Sequence, residues 1–416
     1  MIQYKKHLLE NGLRVVVHQD KTTPFAALNV LYRVGAKDES PDQTGFAHFF
    51  EHLMFGGSIN IPDYDHELQK VGGNNNAFTS NDITNYYLTL PADNIETGFW
   101  LESDRMLSLA FSEKSFLTQQ QVVIEEFRQN YINQPYGDIW HLIRKQAYEK
   151  HPYQWPTIGK EIKHIEDSTL EDVKTFFYEH YAPNNAILVA SGNVEFDQIV
   201  SLAEKWFGSI PSRAIKPRNY PSEPKQKGFK TETVYRDVPN NMLIWSWHMG
   251  AKNTTNYRCG DFTSDILASG NSSRFYQKLV VEKQLFIDID AFISGEEDPG
   301  LFLIIGKPSD GVDLEEAKKA VFEELEALKN NKIVTRELEK IKNKFEANLL
   351  YSESSYLDKA MQLAAYELSG DIDLINTQVD KYREITGEQL QEFAHETFTE
   401  DNCNEIFYLS NTTKES

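Results

Sequence analysis

Two histidines, His48 and His52, lie four residues apart in the run His48-Phe49-Phe50-Glu51-His52. On a helix, residues four apart share a face, so both imidazoles can reach one metal ion, and Glu51, three residues after His48, lies on that same face. Two nitrogen ligands beside a carboxylate that can deprotonate metal-activated water form the inverted counterpart of the HExxH zinc motif. Catalytic zinc keeps three protein ligands and an open position, so one more ligand has to come from elsewhere. The run VVIEEFRQN offers Glu125 and Glu126. A five-residue match of this kind also arises by accident, from histidines that do no more than hydrogen-bond at a surface.

Composition bounds the chemistry. The only cysteines are Cys259 and Cys403, which excludes a disulfide framework and leaves histidine and carboxylate as the metal ligands. The chain has 416 residues, 40% of them hydrophobic and 25% charged, as expected of a soluble protein with two domains. A formal charge of −21 argues against binding to nucleic acid, which needs clustered Lys and Arg. No apolar run approaches the ~20 residues of a membrane-spanning helix, and MIQYKKHLLENG lacks the apolar centre of a secretory signal. The expectation is a cytoplasmic protein with no membrane partner.

The histidines and glutamates need elements to carry them. Alternation in LRVVVHQD and PFAALNVLYRVG predicts two strands joined by a turn. A helical pattern follows over residues 44–54 and again in DYDHELQKVG, and NAFTSNDITNYYLTLP returns to strand. Helices are expected over residues 94–109 and 113–130, the second broken at Gln134-Pro135, then over 137–150 and 169–181. The apolar strand AILVASGNV precedes an amphipathic helix at residues 196–207. Four prolines and no apolar periodicity mark IPSRAIKPRNYPSEPKQKGFK as a linker.

Beyond the linker the plan repeats. MLIWSWHMGAK matches LNVLYRVGAK, and LFLIIGKPSDGVDLEEAKKAVFEEL matches the strand-turn-helix run AILVASGNVEFDQIVSLAEKWF. Helices over 311–330, 335–351 and 387–397 complete a second copy that has no HxxEH. The expected fold class is α+β, with two homologous domains, each a mostly antiparallel sheet flanked by helices. Their bounds are 1–211 for the zinc-binding domain, 212–231 for the linker and 232–416 for the second domain.

Five segments carry a family resemblance: GFAHFFEHLMFGGS, GGNNNAFTSNDITNYY, VVIEEFRQN, HPYQWPTIGK and YAPNNAILVASGNV. In order and spacing they resemble the pitrilysin, or inverzincin (M16), family, which includes insulin-degrading enzyme and the mitochondrial processing peptidases. The resemblance covers nearly the whole chain. It implies one Zn2+ per chain, held by His48, His52 and the second glutamate of the later helix, Glu126, with Glu51 as the general base. Glu125 is then a solvated or helix-stabilising neighbour. The implied reaction is peptide-bond hydrolysis, with zinc polarising the carbonyl and Glu51 moving the proton to the leaving amine. Substrate is implied to be an extended peptide adding to the strand Asn76-Ala77-Phe78-Thr79, in a chamber formed by two half-shell chains.

Two departures from the family pattern stand out. Where the second domain of single-chain members supplies an arginine and, seven residues later, a tyrosine, this chain has Val280 and Ile287. Neither can donate a hydrogen bond to a developing oxyanion, which implies a heterodimer with a homologous subunit that brings the arginine and tyrosine. Seven residues before Glu126, Gln119 replaces a glutamate that lies behind the ligands in the family. The competing reading is a non-catalytic peptide-binding or assembly subunit. His66, His141, His151 and His248 are expected in loop or surface roles, and Trp245 and Trp247 on a strand packed between layers.

Overall fold

In the computed structural model, residues 1–411 are described, and they form two compact units, each built on one mixed sheet. The first unit holds residues 1–130, 155–221 and 349–378. Its strands are β1 (Lys5–Leu8), β2 (Arg14–Gln19), β3 (Phe25–Tyr32), β4 (Asn74–Thr79), β5 (Thr84–Pro91) and β6 (Ala186–Gly192), in the order β1-β2-β6-β3-β5-β4. Only the β2–β6 pair is parallel. All seven residues of β6 are buried, which needs a cover on both faces of the sheet.

One cover is α12 (Tyr356–Ser369), whose Ala360, Leu363 and Ala364 pack on Val16, Ala27, Leu31, Ile187 and Val189. The other includes α3 (Ile95–Ser108), where a Cβ built on Gly98 meets Leu88 at 3.1 Å and Leu28 at 3.4 Å. Glycine there lets the helix approach the sheet closely. Helices α1 (Phe46–Leu53), α2 (Tyr64–Lys70), α4 (Glu113–Phe127), α6 (Ile162–Glu166), α7 (Leu170–His180) and α8 (Phe196–Phe207) complete this unit.

The second unit holds residues 131–154, 222–348 and 379–411 of the described chain. Its strands are β7 (Lys230–Arg236), β8 (Met242–His248), β9 (Phe286–Ser294), β10 (Leu301–Pro308) and β11 (Cys403–Ser410), in the order β7-β11-β8-β10-β9. Along β8, Leu243, Trp245 and Trp247 enter the core that also holds residues of α9 (Thr255–Ala268), α10 (Leu314–Asn330) and α14 (Gly387–Thr397). The alternate residues Met242 and Ile244 pack with Ile139 and Ile143 of α5 (Ile139–Ala147). Both tryptophans are therefore packed between layers, as expected. Helix α11 (Thr335–Ser352) and α13 (Leu374–Arg383) run across the boundaries between the residue sets.

Packing thus divides the chain differently from the contiguous 1–211 and 232–416 split. Residues 131–154 belong with the second sheet and 349–378 with the first, because the apolar stripes of α5 and α12 each cover a sheet built from the other half of the sequence. The linker is also corrected. Residues 212–221 pack with the first unit, where Arg213 donates to the carbonyls of Phe177 and Tyr181 and Arg218 pairs with Asp38 at 2.7 Å. Its last two residues, Lys230 and Thr231, open β7.

Both sheets share one strand plan. Strand β3 lies between β6 and β5 with β4 at the edge, and β8 lies between β11 and β10 with β9 at the edge. The match of β8 to β3 holds, whereas β10 takes the place of β5 and it is β11 that takes the place of β6. A strand followed by a helix occurs at both β5 and β6 in the first unit, so a local pattern cannot tell which of them β10 copies.

Candidate active site

The apolar residues of α1 fix its orientation. Phe46, Ala47, Phe49, Phe50 and Leu53 are buried, with Phe50 stacked on Tyr181 at 4.6 Å and Phe49 against Phe116 of α4 at 5.7 Å. That leaves His48, Glu51 and His52 half-buried along the remaining stripe. Helix α4 begins at Ser112, whose side chain accepts from the Ser115 N–H at 3.1 Å, and its last turn carries Glu126 between buried Ile124 and Phe127.

The two helices bring three candidate ligands of two types together. His48 Nε2 and His52 Nε2 are 3.3 Å apart, Glu126 Oε2 is 3.4 Å from His52 Nε2, and Glu126 Oε1 is 3.8 Å from His48 Nε2. Tetrahedral ligands at zinc bond lengths of ~2.0–2.1 Å stand about 3.3 Å from one another. Donor types and separations therefore fit one zinc ion. Among the described residues this is the one cluster of three histidine or acidic groups that could hold a metal.

Electrostatics suits the same assignment. Burial pushes the His48 imidazole down to about 4, against the pull of Glu126, so the ring is neutral near pH 7, the form that ligates. The hydrogen bond from His52 holds the Glu126 carboxyl below its ordinary value. Burial raises the pKa of Glu51, while Thr79 Oγ1 donates to Glu51 Oε2 at 2.6 Å and acts the other way. Thr79 is the last residue of β4, the edge strand that pairs with β5. Asn76, Ala77 and Phe78 lie in that strand, one edge of which has no strand beside it among the described residues.

Other expected residues fall out as follows. Glu125 is exposed and pairs with Arg128 at 2.7 Å, clear of the cluster. Gln119 is half-buried on α4, and among the described residues the buried Nδ1 of His48 has no hydrogen-bond partner. His66 sits in the first turn of α2, His141 packs edge-on against Tyr131, His151 faces Asp298 and His248 bonds the Ala147 carbonyl. None joins the cluster. Val280 packs against the second core and Ile287 on β9 is 51% exposed, so neither position carries a donor. Two residues that pure sequence reading passed over are Glu39 and Trp155, which meet at the start of α1. A lone tryptophan in the polar run HPYQWPTIGK was the one visible signal.

The family model described as Insulinase (Peptidase family M16) matches residues 14–161, and the one described as Peptidase M16 inactive domain matches residues 167–345. A protein of Helicobacter pylori named zinc protease PqqE is 31% identical over 96% of this chain and 91% of its own length. The chain belongs to the M16 peptidase family. An M16 relative in Bacillus subtilis, the uncharacterized zinc protease YmxG, is 25% identical over 95% of this chain and 96% of its length. The crystal structure of a protease from Helicobacter pylori superposes with a TM-score of 0.93 at 30% identity, covering 98% of this M16 chain and all of that one. The HxxEH-bearing residues lie in the first matched region and Val280 and Ile287 in the second.

Proposed function

We propose that this chain is the metal-bearing subunit of a zinc metalloendopeptidase that cuts short or unfolded peptides in a chamber closed by a second, homologous chain. The observation that carries this reading is the convergence of His48, His52 and Glu126 at zinc-ligand separations beside Glu51, itself tied to the edge strand through Thr79. Those three residues would hold the ion. When bound, zinc supplies a Lewis acid that polarises the scissile carbonyl and acidifies water.

The chain's own groups do the rest. Glu51 takes a proton from the attacking water and returns it to the leaving amine, and its burial raises its pKa towards the range where both transfers are practical. Thr79 keeps the carboxylate turned to one side by its hydrogen bond. The free edge of β4, at Asn76 to Thr79, binds the peptide main chain as an added strand, which reads backbone rather than side chains. With Val280 and Ile287 apolar, oxyanion stabilisation falls to a partner carrying an arginine and a tyrosine seven residues apart.

The test is hydrolysis of a quenched extended peptide by the chain alone and co-expressed with such a homologue. Activity only in the mixture is expected, with Glu51→Gln lowering kcat about 10³-fold while zinc stays bound. Full activity of the chain alone overturns the partner requirement. A zinc-free, inactive mixture favours the non-catalytic peptide-binding subunit.

A further inference from the structure

Helix α1 has no cap from its own N-terminal residue. Gly45 stands at the N-cap with φ 89°, a left-handed conformation, and a Cβ there would lie 2.6 Å from the Ile158 carbonyl oxygen. Two N–H groups at this end, those of Gly45 and Ala47, are instead taken by Glu39, from the loop after β3. Its Oε2 accepts from Gly45 N–H and its Oε1 from Ala47 N–H, both at 2.8 Å. Trp155 Nε1 also donates to Glu39 Oε2 at 3.1 Å and to the Ala36 carbonyl at 3.0 Å. Glu39 is 7% exposed and Trp155 1%.

The position of this carboxyl matters because α1 is only eight residues long. A helix that short does not hold its own geometry in water, where isolated helices below about 12–15 residues are marginal. His48 is its third residue, so the turn held by Glu39 is the turn that aims the first imidazole. The same loop also fixes the far end of the substrate strand, through Ala36 N–H to Ser80 O at 3.0 Å and Lys37 N–H to Asn81 O at 2.9 Å. Residues 35–39 therefore set where α1, with His48 and Glu51, stands relative to Thr79. Burial pushes the Glu39 pKa up while the three N–H donors oppose that rise, so the group is costly to bury and is held by those donors.

We propose that Glu39, braced by Trp155, is a positioning residue for the metal site: it fixes the first turn of α1 and with it the direction of His48. This rests on the reading of His48, His52 and Glu126 as zinc ligands. A cap that served only stability would lower the melting temperature and leave the bound metal's environment unchanged.

The experiment compares wild type, Glu39→Gln, Trp155→Phe and Glu126→Gln in zinc affinity, the visible spectrum of the Co2+-substituted protein, and amide hydrogen exchange at residues 45–49 in the metal-free form. Glutamine offers one acceptor where the carboxylate offered two. Glu39→Gln is expected to exchange faster at 45–49, to bind zinc about tenfold more weakly and to give an altered Co2+ spectrum. Trp155→Phe, which keeps the aromatic ring, is expected to move each readout the same way by less, and it stands in should Glu39→Gln fail to fold. Wild-type zinc affinity and Co2+ spectrum in both variants, with zinc lost only in Glu126→Gln, overturn the positioning role alone. Absence of zinc from wild type overturns the metal-site reading and the proposal with it, whatever the exchange at 45–49.

Discussion

The two units use one strand plan and put opposite kinds of residue at the same point of it. After Gly35-Ala36-Lys37 the chain reaches α1, which ends at Leu53, sixteen residues past Lys37; after Gly250-Ala251-Lys252 it reaches α9, which ends at Ala268, sixteen past Lys252. At equal spacing, His48, Glu51 and His52 correspond to Thr263, Ile266 and Leu267. The first three are half-buried around a common point, and the last three are fully buried in the core of the second unit. A helix at this position can thus face core or chemistry. What differs is which side chains line one seam, and that α9 has fourteen residues where α1 has eight and takes its cap from Glu39.

This contrast predicts asymmetric mutational costs. The largest is expected for Leu267→His, which puts an imidazole without a partner into a closed core and destabilises by roughly 3 kcal/mol or more. Its mirror image, His52→Leu, should change stability by less than about 1 kcal/mol while abolishing zinc binding, because a half-exposed side chain contributes little packing. Chemical denaturation of both variants checks this, and equal costs would break the comparison.

A smaller loss, about 2 kcal/mol, is expected for Gly45→Ala, where a left-handed residue gains a Cβ facing the Ile158 carbonyl. Its counterpart at equal spacing, Gly260 inside α9, is not in that conformation, so a loss there would have a different cause. Urea melts of Gly45→Ala showing no change would mean that the loop adjusts freely.

The smallest effect concerns the helix that crosses between halves of the sequence. Lys359 of α12 pairs with Asp20 at 2.7 Å, and that hydrogen bond holds the Asp20 carboxyl well below the usual range. A depressed carboxylate pKa contributes stability that is full above the unfolded value of about 3.9 and is lost progressively as pH falls from there through the lower folded value. Lys359→Met should therefore cost about 1–2 kcal/mol near pH 7, with the difference from wild type shrinking below pH ~4. A pH-independent difference would assign the loss to packing of the lysine stem.

Much of this was legible in the sequence. The i, i+4 spacing of His48 and His52 needs only a helix to bring them together, and α1 is that helix. Strand β8 was readable as a copy of β3 through its shared Gly-Ala-Lys. Less legible were features decided by tertiary contact. Strand β9 alternates poorly because it is an edge, with a burial pattern that is mostly exposed or intermediate. Helix α12 lies between the helices expected over 335–351 and 387–397, where the pattern gives none, and nothing local says that its stripe fits the first sheet. Glu39 looks like one acid among 63 acidic residues until the fold folds its loop back over the start of α1.

The most direct measurement of the central claim is zinc stoichiometry of the purified chain beside its Glu51→Gln and Glu126→Gln variants. It needs no partner and no substrate. One zinc per chain in wild type and in Glu51→Gln, with zinc lost in Glu126→Gln, is the predicted result; a metal-free wild type, or zinc that survives in Glu126→Gln and disappears in Glu51→Gln, would contradict it.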